Sequence, residues 1–152
     1  MARLTRYLLL FSIATGILWA DQQTKSWVQT LVQNRREVVV LTPYCSLVHV
    51  WNKGISFGFL DHVEALWLFC SFVGIAVLFF VVRTHKDCTA SCIPLYGLIM
   101  GGALGNVVDR LKNGAVFDFL DFHWGDAHFP AFNLADACIS MGAALLVLIC
   151  RK

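Results

Sequence analysis

Four stretches of this chain, roughly 4–20, 63–82, 93–108 and 132–150, are apolar over nearly the length that a helix needs to cross a bilayer. Lipid offers backbone N–H and C=O groups no partner, so stretches of this kind must satisfy them internally, as helices. Only 14% of the 152 residues are charged, where a soluble domain carries about a quarter. The expectation is an α-helical integral membrane protein, residues 1–152 forming one domain with four transmembrane helices. Net charge is +2, and no Lys/Arg stripe is interleaved with aromatics, which excludes a nucleic-acid partner. Arg3 and Arg6 before the first run give it the outline of a signal peptide, but Trp19-Ala20-Asp21 is a poor cleavage site, so the run is expected to stay as the first span.

Orientation follows from the basic residues in the flanks. Arg3, Arg6, Arg83, Lys86, Arg151 and Lys152 crowd into short tails and one short turn; Lys25, Arg35, Arg36, Lys53, Arg110 and Lys112 are spread over two long connections. The dense side is expected to be cytoplasmic, with both termini there and both connections, about 21–62 and 109–131, outside. In the first connection, 21–33 can continue as a helix, with Asp21 and Lys25 as an i,i+4 pair. Three β-rich runs follow, 38–41, 47–51 and 55–60, separated by turn signals at Thr42-Pro43 and Asn52-Lys53-Gly54. They predict a small extracytoplasmic β-sheet on the membrane surface, with Trp27, Tyr44 and Trp51 at the interface. The second connection turns at Lys112-Asn113-Gly114 and then embeds Asp118 and Asp121 among large apolar groups, which suits a segment lying at or dipping into the interface.

The chemistry concentrates between Gly101 and Asp136. Asp109, Asp118, Asp121, Asp126 and Asp136 lie there, half of the ten acidic residues. Carboxylates so close to lipid-length runs are costly, about 2.5–3.5 kcal/mol each at mid-membrane, which makes them functional candidates. Asn133 is placed to cap the last span with Asp136 at N3, an arrangement that serves the helix dipole without any chemistry. If Asp118 and Asp136 meet, they cannot both ionise cheaply. One proton is then shared, and the pair can activate a water with one carboxyl and protonate a leaving amine with the other. Asp109 is a rival member of such a dyad. Asn106 shares a face with Asp109 and Arg110 and can serve as an interhelical hydrogen bond. The Gly101-Gly102-x-x-Gly105 run permits close helix packing. Asp121, His123, Asp126 and His128 could bind zinc, but with no helical register they are expected to be solvated loop residues, with no metal and no cofactor. Cys70, Cys138 and Cys150 lie in apolar runs and behave as small hydrophobes, which predicts no disulfide framework, and Cys88-x-x-x-Cys92 is weak as a metal pair. No serine has the context of a nucleophile. Two readings of other classes stay open: a proton-relay subunit, whose acids would stack at several depths, and an assembly subunit, whose Asn and Asp residues only join helices.

Five short motifs carry a resemblance that covers nearly the whole chain. They are Asp21-Gln22-Gln23-Thr24-Lys25, Asn52-Lys53-Gly54-Ile55-Ser56-Phe57-Gly58, Gly101-Gly102-Ala103-Leu104-Gly105-Asn106-Val107-Val108-Asp109-Arg110, Val116-Phe117-Asp118-Phe119 and Phe132-Asn133-Leu134-Ala135-Asp136. In this order they resemble the lipoprotein signal peptidases, the signal peptidase II family of bacterial inner-membrane aspartyl peptidases. Ile55-Ser56 stand where the family pattern has paired alanines, and Phe117 where Val is more usual. The resemblance implies that Asp118 and Asp136 are the catalytic pair. It implies that Asn52, Asn106, Arg110 and Asn133 position substrate or dyad, with Asp21, Lys25, Gly54 and Asp109 as supporting motif residues. The implied substrate is a prolipoprotein cut just before a diacylglyceryl-modified Cys, at an active site near the outer leaflet; nothing in the sequence demands a partner subunit, so a monomer is expected.

Overall fold

The structure, a computed structural model, describes residues 3–53, 74 and 92–149. The expected second span at 63–82, the third β-run at 55–60 and Gly54 lie outside the described residues. In chain order the elements are helix α1 (Arg3–Leu31), strands β1 (Val38–Thr42) and β2 (Cys45–Asn52), helix α2 (Ile93–Asn113), strands β3 (Val116–Trp124) and β4 (Ala127–His128), and helix α3 (Leu134–Ile149).

α1 runs on without a break past Ala20 to Leu31, as expected for a stretch with neither Gly nor Pro to stop it. Among the described residues it is the one helix long and apolar enough to cross a membrane unaided. α2 has a Pro in its first turn and ends on Gly114, whose φ of 69° is the left-handed conformation that a C-terminal glycine adopts freely. The Gly114 N–H bonds back to the Arg110 carbonyl at 3.0 Å. α3 starts at Leu134 rather than at Phe132, because Phe132 forms an antiparallel bridge with Leu120. Its 16 residues rise about 24 Å, somewhat less than a hydrocarbon core of about 30 Å. Large apolar side chains point outward on α1 (Leu4, Leu8, Phe11, Trp19) and on α3 (Leu145, Val147, Leu148). This is the surface that a lipid environment favours and water does not.

The sheet corrects the sequence reading. It has four antiparallel strands in the order β1-β2-β3-β4, so both connections build it. β3, expected only as an interfacial segment, is an inner strand. It pairs with β2 through Leu47↔Leu120, Val50↔Asp118 and Asn52↔Val116, and β2 carries a bulge between Leu47 and Val50. The alternation of large apolar and acidic residues in Val116-Phe-Asp-Phe-Leu-Asp-Phe is the period-two pattern of a strand with two different faces. The β1–β2 turn falls at Pro43-Tyr44, where the turn signal predicts it.

Two apolar clusters hold the parts together. Leu10 and Ala14 of α1 pack with Cys92, Ile93, Tyr96 and Met100 at the α2 side. Val28 in the last turn of α1 and Val32 just beyond it pack with Leu47, Phe117 and Phe119 of the sheet. α1 therefore joins the helical layer to the sheet. The glycines of α2 are packing residues. A Cβ at Gly101 would lie 2.6 Å from the Ala14 carbonyl oxygen, and one at Gly102 would lie 2.5 Å from the Ala135 carbonyl oxygen. Neighbouring backbones come this close only where no side chain intervenes. Trp51, expected at the interface, is half-buried against Phe117 instead, with ring centroids 5.3 Å apart. Trp27 and Tyr44 are exposed. Cys45 and Cys138 are free thiols.

Candidate active site

Two acids from separate elements, one buried and one half-buried, converge on one asparagine. Asp118 sits inside β3 and is 2% exposed. Asp136 sits in the first turn of α3. Asn133, fully buried, donates from Nδ2 to Asp118 Oδ1 at 2.7 Å. Its Oδ1 accepts the Asp136 N–H at 3.0 Å, while its own N–H donates to Asp136 Oδ2 at 3.3 Å. That reciprocal pair is the capping box the sequence predicts, with Asp in the place of the usual Glu. The cap therefore does two things: it ends the helix, and it ties the helix's first acid to an acid on the sheet.

Each remaining carboxylate oxygen has its own donor. Asn52 Nδ2 donates to Asp118 Oδ2 at 2.9 Å, and Asn106 Nδ2 donates to Asp136 Oδ1 at 2.8 Å. Asn133 Nδ2 also reaches Asn106 Oδ1 at 3.3 Å, which closes a ring of Asn133, Asp136 and Asn106, with Asp118 and then Asn52 branching from Asn133. Burial pushes the Asp118 carboxyl up to about 6. The Asn52 hydrogen bond opposes the rise, the nearby charge of Asp136 adds to it, and Asn133 and Lys25 oppose it further. A carboxyl titrating there exchanges a proton near neutral pH, as general acid–base chemistry needs.

Asp109, the rival on sequence alone, is engaged elsewhere. Its Oδ2 lies 2.8 Å from Lys25 Nζ and accepts the Phe117 N–H at 3.2 Å. Its Oδ1 accepts from Gln22 Nε2 at 2.9 Å. Lys25 is buried and also pairs with Asp21 Oδ2 at 2.8 Å, the i,i+4 contact the sequence predicts, and donates to Asn106 Oδ1 at 3.2 Å. Asp21 in turn accepts the Ala135 N–H at 3.0 Å on Oδ1. One ammonium thus joins α1, α2 and, through Asp21, the start of α3. The same Lys25 touches the amide that holds Asp136. A Cβ at Gly105 would sit 2.5 Å from Asp21 Oδ2, so this glycine makes room for the ion pair. Arg110 is half-buried, and the charges of Asp136, Asp118 and Asp109 all act on its guanidinium.

Sequence reasoning passed over two of these groups. Gln22 bridges Asp21, the Gly105 carbonyl and Asp109, and accepts from Lys112. His49 packs edge-on to Phe117 and accepts from Trp51 Nε1 at 3.0 Å on Nε2, which leaves Nδ1 to donate to the Val32 carbonyl at 2.6 Å. The available signal was the i,i+2 spacing of His49 and Trp51 on a strand, which puts both on one face. Asp121, His123 and His128 come together, whereas Asp126 does not join them.

Residues 13–151 match the family model of signal peptidase (SPase) II. The lipoprotein signal peptidase of Oleidesulfovibrio alaskensis is 38% identical over 151 residues, 97% of each chain. That of Aeromonas hydrophila is 45% identical over 132 residues, 84% of this chain and 79% of its own. A bacterial membrane enzyme solved in meso at 1.9 Å superposes with a TM-score of 0.83 at 25% identity, covering 94% of this chain and 92% of the other. With matches of this extent, the chain belongs to the signal peptidase II family and is a membrane-bound aspartic peptidase.

Proposed function

We propose that this protein removes the signal peptide of prolipoproteins, cutting just before a diacylglyceryl-modified Cys, with Asp118 and Asp136 as the dyad that activates water. The observation that carries the proposal is the single buried Asn133 that binds both carboxyls. With one proton shared between them, the ionised carboxyl takes a proton from a water that attacks the scissile carbonyl. The protonated carboxyl then gives its proton to the departing amine, so protons and charge balance over one turnover. Asn52, Asn106 and Asn133 hold the carboxyl oxygens in place before substrate arrives, and Arg110 supplies positive charge nearby.

The substrate's chemistry suits this placement. A diacylglyceryl Cys is lipid-bound and the signal peptide is itself a span, so the scissile bond lies at the membrane surface. There the ends of α2 and α3 meet the sheet. Four transmembrane helices, with 63–82 as the second, would put both termini in the cytoplasm and the dyad near the outer leaflet, in agreement with the distribution of Lys and Arg. The site is complete within one chain, in keeping with a monomer. A proton relay is the weaker reading: Asp21, Asp109, Asp118 and Asp136 join one network at one end of the helices rather than stacking in depth.

The test is cleavage of a diacylglyceryl-modified precursor by purified protein in lipid or detergent. Wild type should cut it and spare the unmodified precursor. Asp118→Asn and Asp136→Asn should each lower turnover at least a thousandfold, with unchanged yield and unfolding midpoint within a few degrees. Near-normal turnover in either variant removes that residue from the dyad. Equal cleavage of the unmodified precursor removes the lipid from the specificity.

A further inference from the structure

The β3–β4 hairpin gathers ligands that the peptidase chemistry does not use. The strands pair through His123↔His128 and Trp124↔Ala127, leaving a two-residue turn at Gly125-Asp126. Gly125 has φ of 58°, the left-handed value that a tight hairpin favours at its first central position. Residues opposite each other across a pair, and residues two apart on a strand, share a face. Asp121, His123 and His128 therefore project together, and Asp118, an odd number of residues from Asp121, projects to the other face.

Their donor atoms converge. His128 Nδ1 lies 3.0 Å from both Asp121 oxygens, His123 Nδ1 lies 3.5 Å from Asp121 Oδ2, and all three ligand atoms fall within 4.8 Å of one another. Ligands on a tetrahedral zinc at about 2.0–2.1 Å are separated by roughly 3.3 Å. The two shorter spacings bracket that value. His123 Nδ1 is buried and makes no hydrogen bond, although a carboxylate oxygen faces it at ion-pair distance. A buried ring nitrogen without a hydrogen bond keeps its capacity to bind another group, and the carboxylate beside it favours a cation. The two imidazoles stack with centroids 5.1 Å apart.

We propose that Asp121, His123 and His128 form a binding site for a zinc-class divalent cation. The carboxylate supplies negative charge, the two imidazoles supply the nitrogen ligands that zinc prefers over magnesium or calcium, and a water completes the set. The cation would clip the hairpin shut. β3, which carries Asp118, would then be tied to the segment that leads through Phe129 and Phe132 into α3 and Asp136.

The experiment uses the full-length protein, freed of metal by chelating resin. Zinc chloride is added in slight excess, and bound zinc is counted by elemental analysis after gel filtration, with the unfolding midpoint measured in parallel. The expected result is one equivalent bound and a raised midpoint. His128→Ala, at a mostly exposed position, and Asp121→Asn should each bring bound zinc below a fifth of an equivalent and remove the midpoint shift. His62→Ala and His85→Ala should retain both. Asp118→Asn should also bind a full equivalent while inactive, so the site stands or falls apart from the peptidase mechanism. Absence of bound zinc in the wild type, or one equivalent persisting in His128→Ala and Asp121→Asn, overturns the assignment.

Discussion

A carboxyl almost wholly removed from water, yet bonded on both oxygens, is pulled in two directions. For Asp118 burial wins: its folded-state value rises from 3.8 to about 6. A carboxyl raised on folding adds stability that is fully present below its unfolded value and is lost as pH rises through the folded one. The wild-type protein should therefore lose stability between about pH 4 and pH 7 by up to roughly 3 kcal/mol from this residue alone. In Asp118→Asn the amide meets the donors of Asn52 and Asn133, a penalty that does not vary with pH, so the pH dependence should flatten across this window. Unfolding midpoints of the two proteins at half-unit pH steps check this; parallel profiles would contradict the raised value. Asp118 and Asp136 could be singled out in the sequence because carboxylates amid apolar residues are rare and costly. Asn133 as a cap on Asp136 was legible too, but which carboxyl Asn52 and Asn106 each serve was not, because a side chain's partner depends on which elements lie side by side.

At the scale of elements, α2 is a helix whose glycines set how near its neighbours come. Gly102→Ala would press on the Ala135 carbonyl, which is backbone and cannot swing aside. The start of α3 must then shift and carry Asp136 with it. Gly105→Ala would press on Asp21, held by Lys25 and the Ala135 N–H. Each should cost about 1–3 kcal/mol, and Gly102→Ala should lower kcat as well. Gly16→Ala meets nothing within 4 Å and should be neutral or stabilising by up to about 1 kcal/mol. Thermal midpoints with kcat for the three variants check the contrast, and equal behaviour would show that close approach is not what these glycines provide. The sequence marked the glycine run as permitting close packing without naming what packs there. It missed β3 as a strand because acids alternating with aromatics also suit an interfacial segment, and pairing with β2 is what distinguishes the two.

Across the whole molecule, Lys25 is the point on which the helical layer and the site depend together. Replacing it with Met would leave Asp21 and Asp109 facing each other, buried, without a counter-charge. That should cost about 3–5 kcal/mol, visible as a fall in unfolding midpoint and in the yield of folded protein. Adding Asp21→Asn to Lys25→Met should recover part of the loss, since one buried charge is removed with its partner. A Lys25→Met protein as stable as wild type would mean the ion pairs do not join the elements. The i,i+4 pairing of Asp21 with Lys25 was legible because both lie on one helix. The bonds from Lys25 to Asp109 and to Asn106, the latter 81 residues away, were not.

The amino-acid order alone decided what is local or set by the lipid solvent: where helices run, where Asn133 caps one, where Gly114 ends another, and which acids sit in apolar surroundings. It also spelled the motifs that mark the family. Only the folded chain decided which acids become partners, with Asp109 drawn to Lys25 and Asp118 joined to Asp136 through Asn133, and which face of a hairpin collects Asp121, His123 and His128. Helix formation and burial act over a few residues and can be read along the chain. A hydrogen bond or ion pair needs two groups within about 3 Å, and that proximity is settled by the packing of elements far apart in sequence.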